Sequence, residues 1–598
     1  MDGWTGNILR VDLTQASYSV EPLDLDLAES YIGGRGLATK YLFDEIDPEV
    51  DALSPENKLF LVNGPFTGTG LPAAGRYMSV TKSPLTDLIA CGNSGGFFSS
   101  ELKFAGYDMI ILEGKSPEPV YLLIENDDIQ IKPAKHLWGK TTDETEKMIK
   151  AEMADEWKGM DTQVVSIGPG GENLSRMACL MHDGHAAARS GTGAVMGSKN
   201  LKAIAVRGTK GVNVADGDSL GKAVNTIINE EVRGTARLES WIAYGTWLLM
   251  RGDQMRGSFP TWNFKEGYFE DLADFHEEAF AQEFRVGIHS CFCCPNATHK
   301  ATEVTDPEFA GCGLGPEYET FASLGPCCGV SNLSAIVKAG HLCNDMGLDT
   351  IDTGVTIACA MELFEKGILS EKDAGYKLNF GNTKAMVELV EKIGRRQDFG
   401  DILAEGGYRM AEKYGHPELF MGSNKQALPL HHPQANQGSA LAYATSNHGA
   451  NHMRVARDPA ITLDPFKTDG QVAVIKEGQD WRSMTDSLGL CCTSRMYGDK
   501  ESLPPLIEAV TGVSYTVDEL RLIGERIWNL ERLFNLKAGF TAKDDTMPKR
   551  MLEEPMTLGA AAGHVCKLDE MIPEYYEARE WGKDGIPTPE KLEQLGLT

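Results

Sequence analysis

The chain has 598 residues, 42% hydrophobic and 24% charged, with a net charge of −29; this is the profile of an ordinary globular protein of about two to four domains with a large core. The acidic balance excludes a nucleic-acid-binding face, which needs clustered basic residues. No apolar run approaches the roughly 18 residues needed to span a bilayer, and residues 1–13 read as a first strand rather than a secretory signal, so a cytoplasmic protein is expected.

The first 210 residues are β-rich. Short apolar or β-branched runs at 59–64, 109–114, 120–124, 129–132 and 203–208 are bounded by glycine, proline or Asn/Asp turns, with a hairpin signal at Asn126-Asp127-Asp128. Glycines crowd residues 92–96 and 191–193, where backbone N–H groups can approach a ligand. From about 215 the apolar residues recur at helical spacing, as in 333–343, 352–364 and 517–534. The pattern divides the chain into a β-rich base, 1–210, and two mainly helical domains, 211–420 and 421–598. Two turns echo one another: Asn344–Asp349 and Asp486–Cys491 share a polar-x-x-Gly-Leu-polar pattern, which by spacing alone reads as two helix ends with C-terminal glycines.

The chain carries 13 cysteines, and six of them fall between Cys291 and Cys328, with Cys491-Cys492 following far downstream. Cys291 and Cys294 form a C-x2-C pair whose thiolates can reach one metal centre from a single turn, and Cys491 can close the site from afar. A reducing compartment favours metal ligation over disulfides. The cluster points to a metal or iron–sulfur protein.

A longer series of segments resembles one family. These are Asp51–Leu59, Gly75-Arg76-Tyr77, Asn93–Gly96, Glu101–Asp108, Ser166–Pro169, His182–His185, Gly193–Val206, Gly315–Glu319 and Leu530–Gly539, in that order. The chain resembles the tungsten-containing aldehyde:ferredoxin oxidoreductases over essentially its whole length. The resemblance implies an α+β fold, an N-terminal β base with two mainly helical domains clasping a cofactor against it. It also implies that cofactor: tungsten, or molybdenum, on the dithiolenes of two pterins, with magnesium bridging their phosphates and a [4Fe-4S] cluster nearby.

Roles follow from the resemblance. The two echoing turns are similar to the family's pterin-binding motifs, assigning Asn344, Gly347, Leu348 and Asp349 to one pterin and Asp486, Gly489 and Leu490 to the other. A pterin edge carries N–H donors and needs such acceptors. Asn344 stands where the family usually has Asp. Arg76 and the loop Asn93-Ser94-Gly95 match positions near the phosphates and magnesium, where an Arg fork suits phosphate. Ala186 stands where the family tends to carry an Arg, and Ala187 remains a backbone-carbonyl ligand for magnesium. Cys291, Cys294 and Cys491 match three of four cluster ligands, but Thr298 occupies the place of the fourth cysteine. Threonine is a poor iron ligand. Cys312 or Cys293 can enter, a group such as His299 can ligate, or the cluster loses an iron; Cys312 is preferred. Glu319 and His452 match the active-site pair of a base and a carbonyl-polarising imidazole, with His448 the residue most easily mistaken for the latter. Cys327 and Cys328 have no counterpart in typical members. They read as buried free thiols, or as a metal ligand of the kind found in the tungsten subunit of benzoyl-CoA reductases. Lys338 and Val387 stand where archaeal dimers share an iron ion, so a homodimer of this chain is expected to lack one.

The implied activity is oxidation of a small-molecule aldehyde to a carboxylic acid, with electrons passing to ferredoxin or an iron–sulfur electron-transfer subunit. A low-potential reductase of the benzoyl-CoA-reductase type and an electron-transfer subunit without turnover are the alternatives.

Overall fold

The structure, a computed structural model, describes residues 2–153, 155–455, 463–493, 497 and 500–598. Six strands form the first sheet: β1 (Asn7–Asp12), β2 (Ser17–Pro22), β3 (Leu59–Asn63), β4 (Tyr77–Lys82), β5 (Ile89–Ser94) and β6 (Met109–Glu113), in the order β2-β1-β6-β3-β4-β5. Six more form the second: β7 (Val120–Glu125), β8 (Asp128–Pro133), β9 (Gln163–Ser166), β10 (Leu180–His182), β11 (His185–Ala187) and β12 (Leu201–Arg207), in the order β8-β7-β12-β9-β10-β11. The second sheet repeats the first strand for strand, down to a single parallel pair in each, β1 with β6 and β7 with β12. The inner strands of both sheets are covered on both faces, which is why β3, β6, β7 and β12 read as apolar runs, while the edge strands β2 and β8 are largely exposed. In β3, Leu59 and Leu61 face the second sheet, packing with Leu122 and Ile204. Phe60 and Val62 face the opposite way, against Leu37 and Leu42 of helix Gly34–Glu45 and against Phe534.

The α+β architecture expected from the sequence is the one observed. Helices Leu333–Met346, Thr350–Glu365, Gln471–Leu488 and Val517–Lys537 dominate the second half. One correction applies there: β13 (Arg285–His289), β14 (His299–Val304) and β15 (Gly311–Leu314) form a small antiparallel sheet inside the stretch read as helical. The cysteine loop divides that stretch into pieces too short to compete with the helical periodicity around them. Among the described residues no helix is long and apolar enough to cross a membrane.

The two echoing turns are helix ends, as their spacing suggested, and each docks on its own sheet. Gly347 (φ 68°) ends helix Leu333–Met346 and Gly489 (φ 86°) ends helix Gln471–Leu488, both in the left-handed conformation that glycine adopts without strain. The Gly347 carbonyl accepts from Cys179 N–H at 2.9 Å, and the Gly489 carbonyl from Arg76 N–H at 3.2 Å. Each docking depends on a glycine in the receiving loop. A Cβ on Gly168 would lie 2.4 Å from the Met346 carbonyl carbon, and one on Gly64 would lie 2.1 Å from that of Leu488. Gly64→Ala is therefore expected to destabilise the protein by about 1–3 kcal/mol, the cost of overpacking a close contact, and to loosen the second turn; an unchanged thermal midpoint would show the contact can yield.

Candidate active site

The thiols expected to act together do converge. Cys291 and Cys294 occupy the turn after β13, and Cys491 follows the turn at Gly489. Ala73 clamps both segments: its N–H donates to the Cys293 carbonyl at 3.4 Å and its carbonyl accepts from Cys491 N–H at 2.9 Å. The pocket between them is lined by the three thiols with Arg76, His289, Thr298, His299 and Thr493. Gly95 completes the approach, since a Cβ there would lie 2.6 Å from Cys291 Sγ. Arg76 donates to Cys491 Sγ at 2.9 Å and to Asn93 Oδ1 at 3.3 Å, so it stands between the thiols and the Asn93 loop. A hydrogen bond from Cys492 holds the Cys491 thiol well below its usual range against burial, with Arg76 and Thr493 adding to it. Burial and the neighbouring thiols push Cys294 up to about 12. A bound cation reverses that penalty, because a coordinating thiol gives up its proton.

The structure does not bring Cys312 to this pocket. It is exposed on β15, opposite Glu303 of β14. His299 begins that strand, and four residues of strand put Cys312 roughly 13 Å from it. Cys293 is exposed as well, in a left-handed conformation (φ 48°) fixed by its carbonyl's bond to Ala73. Cys327 and Cys328 are fully buried in the helical core, where the Cys328 thiol bonds the Ser323 and Gly354 carbonyls at 3.4 Å, and neither lines the thiol pocket or the cavity beside it. Both are buried free thiols, one of the two roles expected for them.

A second cavity, about 240 Å³, opens beside the thiol pocket, and His299 lines both. Asn93, Asn344, Leu348, Asp349, Glu319 and His452 border it. The edge strands β5 and β11 meet there, a Cβ on Gly92 falling 3.1 Å from the Ala187 carbonyl carbon, which brings Asn93, Ser94 and Ala187 together. Asp349 also caps helix Thr350–Glu365, accepting from Asp352 N–H at 2.8 Å, and its other oxygen accepts from Arg189 N–H at 2.9 Å. The second turn lies further back. Asp486 is enclosed by Arg35 (3.4 Å), Arg454 (2.8 Å) and Arg482 (2.8 Å), and it, Gly489 and Leu490 do not line the cavity.

Buried polar atoms without hydrogen-bond partners gather around this cavity: Arg189 Nε and Nη1, Arg454 Nε, Glu319 Oε1, His452 Nδ1 and Asp352 Oδ2. Protein interiors leave few such atoms, so their concentration suits a polar, partly anionic group with both donors and acceptors. Neither arginine was among the residues expected from the sequence: Arg189 lies three residues after Ala186, where an Arg was expected, and Arg454 two residues after His452.

Glu319 lies on helix Tyr318–Leu324, and its Oε2 accepts from Leu430 N–H at 2.8 Å. Its Oε1 lies 3.6 Å from His452 Nδ1 and 3.4 Å from His431 Nε2. His431 is in turn held by Asp253 Oδ2 at 2.7 Å and stacks on Tyr318 with ring centroids 4.7 Å apart. Burial raises the Glu319 carboxyl above its usual range, opposed chiefly by His431. Burial drives His452 well below an ordinary histidine, so its imidazole is neutral. His448 is a different residue in kind: it is buried against Glu531 at 3.3 Å and pushed down to about 4 by burial. The sequence reading missed His431 and Asp253, which lie far apart in the chain and carry no spacing signal. Beyond His452 a larger chamber of about 480 Å³ is lined, among the described residues, by Trp241, Leu249, Tyr443 and Phe466 together with Asp253 and His431.

Comparison with known proteins accords with this geometry. Family models for the aldehyde ferredoxin oxidoreductase N-terminal domain and for its domains 2 and 3 match residues 8–208 and 222–597. The chain is 44% identical to a tungsten-containing aldehyde ferredoxin oxidoreductase of Pyrococcus furiosus, covering all of this chain and 99% of that one. A protein of the same description from Thermococcus kodakarensis is 43% identical over the same shares. Among solved structures, a chain of the active-site complex BamBC of benzoyl-coenzyme A reductase, bound to 1,5-dienoyl-CoA, superposes with a TM-score of 0.85 at 27% identity, covering 100% of this chain and 97% of that one.

Proposed function

We propose that this chain, which belongs to the aldehyde ferredoxin oxidoreductase family, oxidises an aldehyde with water to a carboxylic acid. The overall change is RCHO + H2O → RCOOH + 2 H⁺ + 2 e⁻, with the electrons leaving singly for ferredoxin or an iron–sulfur subunit. The observation that carries the reading is the placing of Glu319 and His452 on a cavity rimmed by buried polar atoms that lack a hydrogen bond, Arg189 Nη1 and Arg454 Nε among them, and adjoining a three-thiol pocket. A tungsten bis-pterin with bridging magnesium, when bound, supplies the two-electron acceptor, and a [4Fe-4S] cluster the one-electron exit.

The residues present fit those groups. Cys291, Cys294 and Cys491 would hold the cluster; Asn344, Asp349, Arg189 and Arg454 would meet the pterins; Asn93 and the Ala187 carbonyl would face the magnesium. Asp486 with Gly489 and Leu490 would support the second pterin from behind Arg454. Glu319 accepts a proton from the water that attacks the aldehyde carbon, or from a hydroxyl of the hydrated aldehyde as it is oxidised, and His452, neutral, orients the substrate oxygen by a hydrogen bond. Asp253 fixes the ring of His431, which borders the chamber and holds Glu319 in place. The chamber's walls combine aromatic and aliphatic side chains with Arg237 and Arg256, which suits an aldehyde with an apolar body and room for a polar end. The reductase alternative rested on Cys327 and Cys328, which are buried in the helical core and outside the lining of the cavity that holds Glu319 and His452; the likeness to the benzoyl-coenzyme A reductase chain fits that alternative only loosely. In a dimer, Lys338 and Val387 offer no iron ligands.

Anaerobically purified protein should contain tungsten, about two pterins per chain, and iron with acid-labile sulfide, and it should reduce a viologen with aldehydes. Metallated protein without pterin, or without turnover over a broad aldehyde panel, would sink the reading. The pH dependence tests the base. Because Glu319 acts ionised, kcat/KM should fall as pH drops through its raised pKa, above the ordinary value of about 4.3. His431→Asn removes the main charge that lowers this pKa, so the acidic limb should move to higher pH. A limb that stays in place would assign it to another group.

A further inference from the structure

We propose that one imidazole of the facing pair His289 and His299 is the fourth ligand of the [4Fe-4S] cluster, which makes the site three-cysteine, one-histidine. The inference rests on the reading above that a cluster occupies the thiol pocket. That pocket offers three thiols, and a four-iron cluster has four iron corners to ligate. The other thiols nearby are accounted for. Cys312 is exposed further along the sheet, Cys293 is turned out by its backbone, and Cys492 is engaged in its hydrogen bond to Cys491 and lines the large chamber. Thr298 lines the pocket, but its hydroxyl would have to ionise to bind iron.

Two imidazoles remain, His289 and His299, which stand opposite each other in the β13–β14 register and both line the pocket. The His299 ring stacks on His185 with centroids 3.9 Å apart and planes within 9°, while His185 is anchored by its Nδ1 to the Asp183 carbonyl at 2.9 Å. His185 itself is engaged, its Nε2 lying 3.3 Å from Cys291 Sγ. The Nε2 of His299 lies 3.6 Å from Glu317 Oε1; that of His289 lies 3.5 Å from Asp183 Oδ2, and the His289 Nδ1 is buried without a hydrogen-bond partner. A carboxylate on one nitrogen and a metal on the other is the usual arrangement of a metal-binding histidine. His299 directly follows Thr298 and His289 stands two residues before Cys291, so the pair flanks the thiol pocket from both strands. A neutral imidazole in place of a thiolate removes one negative charge from the cluster and raises its reduction potential, as it does in histidine-ligated clusters elsewhere.

The test uses the holoenzyme with ¹⁴N- or ¹⁵N-labelled histidine, reduced, and pulsed EPR of the cluster. One strongly coupled histidine nitrogen is expected in the wild type, which needs no variant to fold. It should vanish in one of His299→Cys and His289→Cys and persist in the other, with four irons retained and the potential lowered where it vanishes, and persist in Cys312→Ser. A four-iron wild-type cluster without nitrogen coupling, or a coupling kept in both histidine variants, would overturn the assignment. A nitrogen-coupled cluster in protein devoid of tungsten and pterin would count against the aldehyde reading and leave this ligand standing.

Discussion

Glu319→Gln is expected to lower aldehyde turnover by two or more orders of magnitude, the scale of losing a positioned acid–base group, while tungsten, pterin and iron contents match the wild type. The amide is nearly isosteric, and its oxygen can still accept from Leu430 N–H, so the helix end and the cavity wall should keep their shape. What is lost is the ability to take a proton in the midst of His452 and His431. The signature is a fall in kcat without a matching rise in KM. Near-normal turnover would show that another group takes the proton, and Asp253 behind His431 would be the next to test.

Cys491→Ser is expected to strip iron and acid-labile sulfide from the protein and abolish ferredoxin-linked turnover. Cys491 is the thiol most strongly held as thiolate, and it faces the Arg76 guanidinium at 2.9 Å. Serine supplies neither a comparable ligand nor a charge to pair with Arg76. Cys327→Ser serves as the control, since that thiol is buried in the helical core. It should cost on the order of 1–3 kcal/mol for a buried hydroxyl left unsatisfied and still keep the cluster. Iron content measured on both variants separates the cases, and a full cluster in Cys491→Ser would mean the pocket is closed by a different residue.

What was legible in the sequence was what local spacing encodes. The apolar runs of the base, the long helices and the two glycine-terminated turns all depend on neighbours within a few residues, and each stands where it was expected. The meeting of Cys291 with Cys491 came from resemblance, because nothing local links residues so far apart. The failures are of two kinds. Cys312 was preferred on loop length, and the strands β14 and β15 that carry it away are short and lie among stronger helical signals. Arg189, His431 and Asp253 were missed because their meaning is wholly tertiary: each matters through a cavity assembled from several elements. The strand-for-strand repetition of the two sheets was equally hidden, since topology can be duplicated while side chains diverge.

That repetition has a consequence for how current leaves the molecule. The two halves of the base grip their turns in the same way, yet the sixth residue differs: the first turn closes with Asp349 and the second with Cys491. On the proposed reading both pterins are clasped alike, but one alone abuts a sulfur ligand of the cluster, through Cys491 and the Arg76 contact. On that reading the scaffold is symmetric as a clamp and asymmetric as a wire: the pterin beside Cys491 would pass electrons toward the cluster, and the different residue closing each turn would set the polarity.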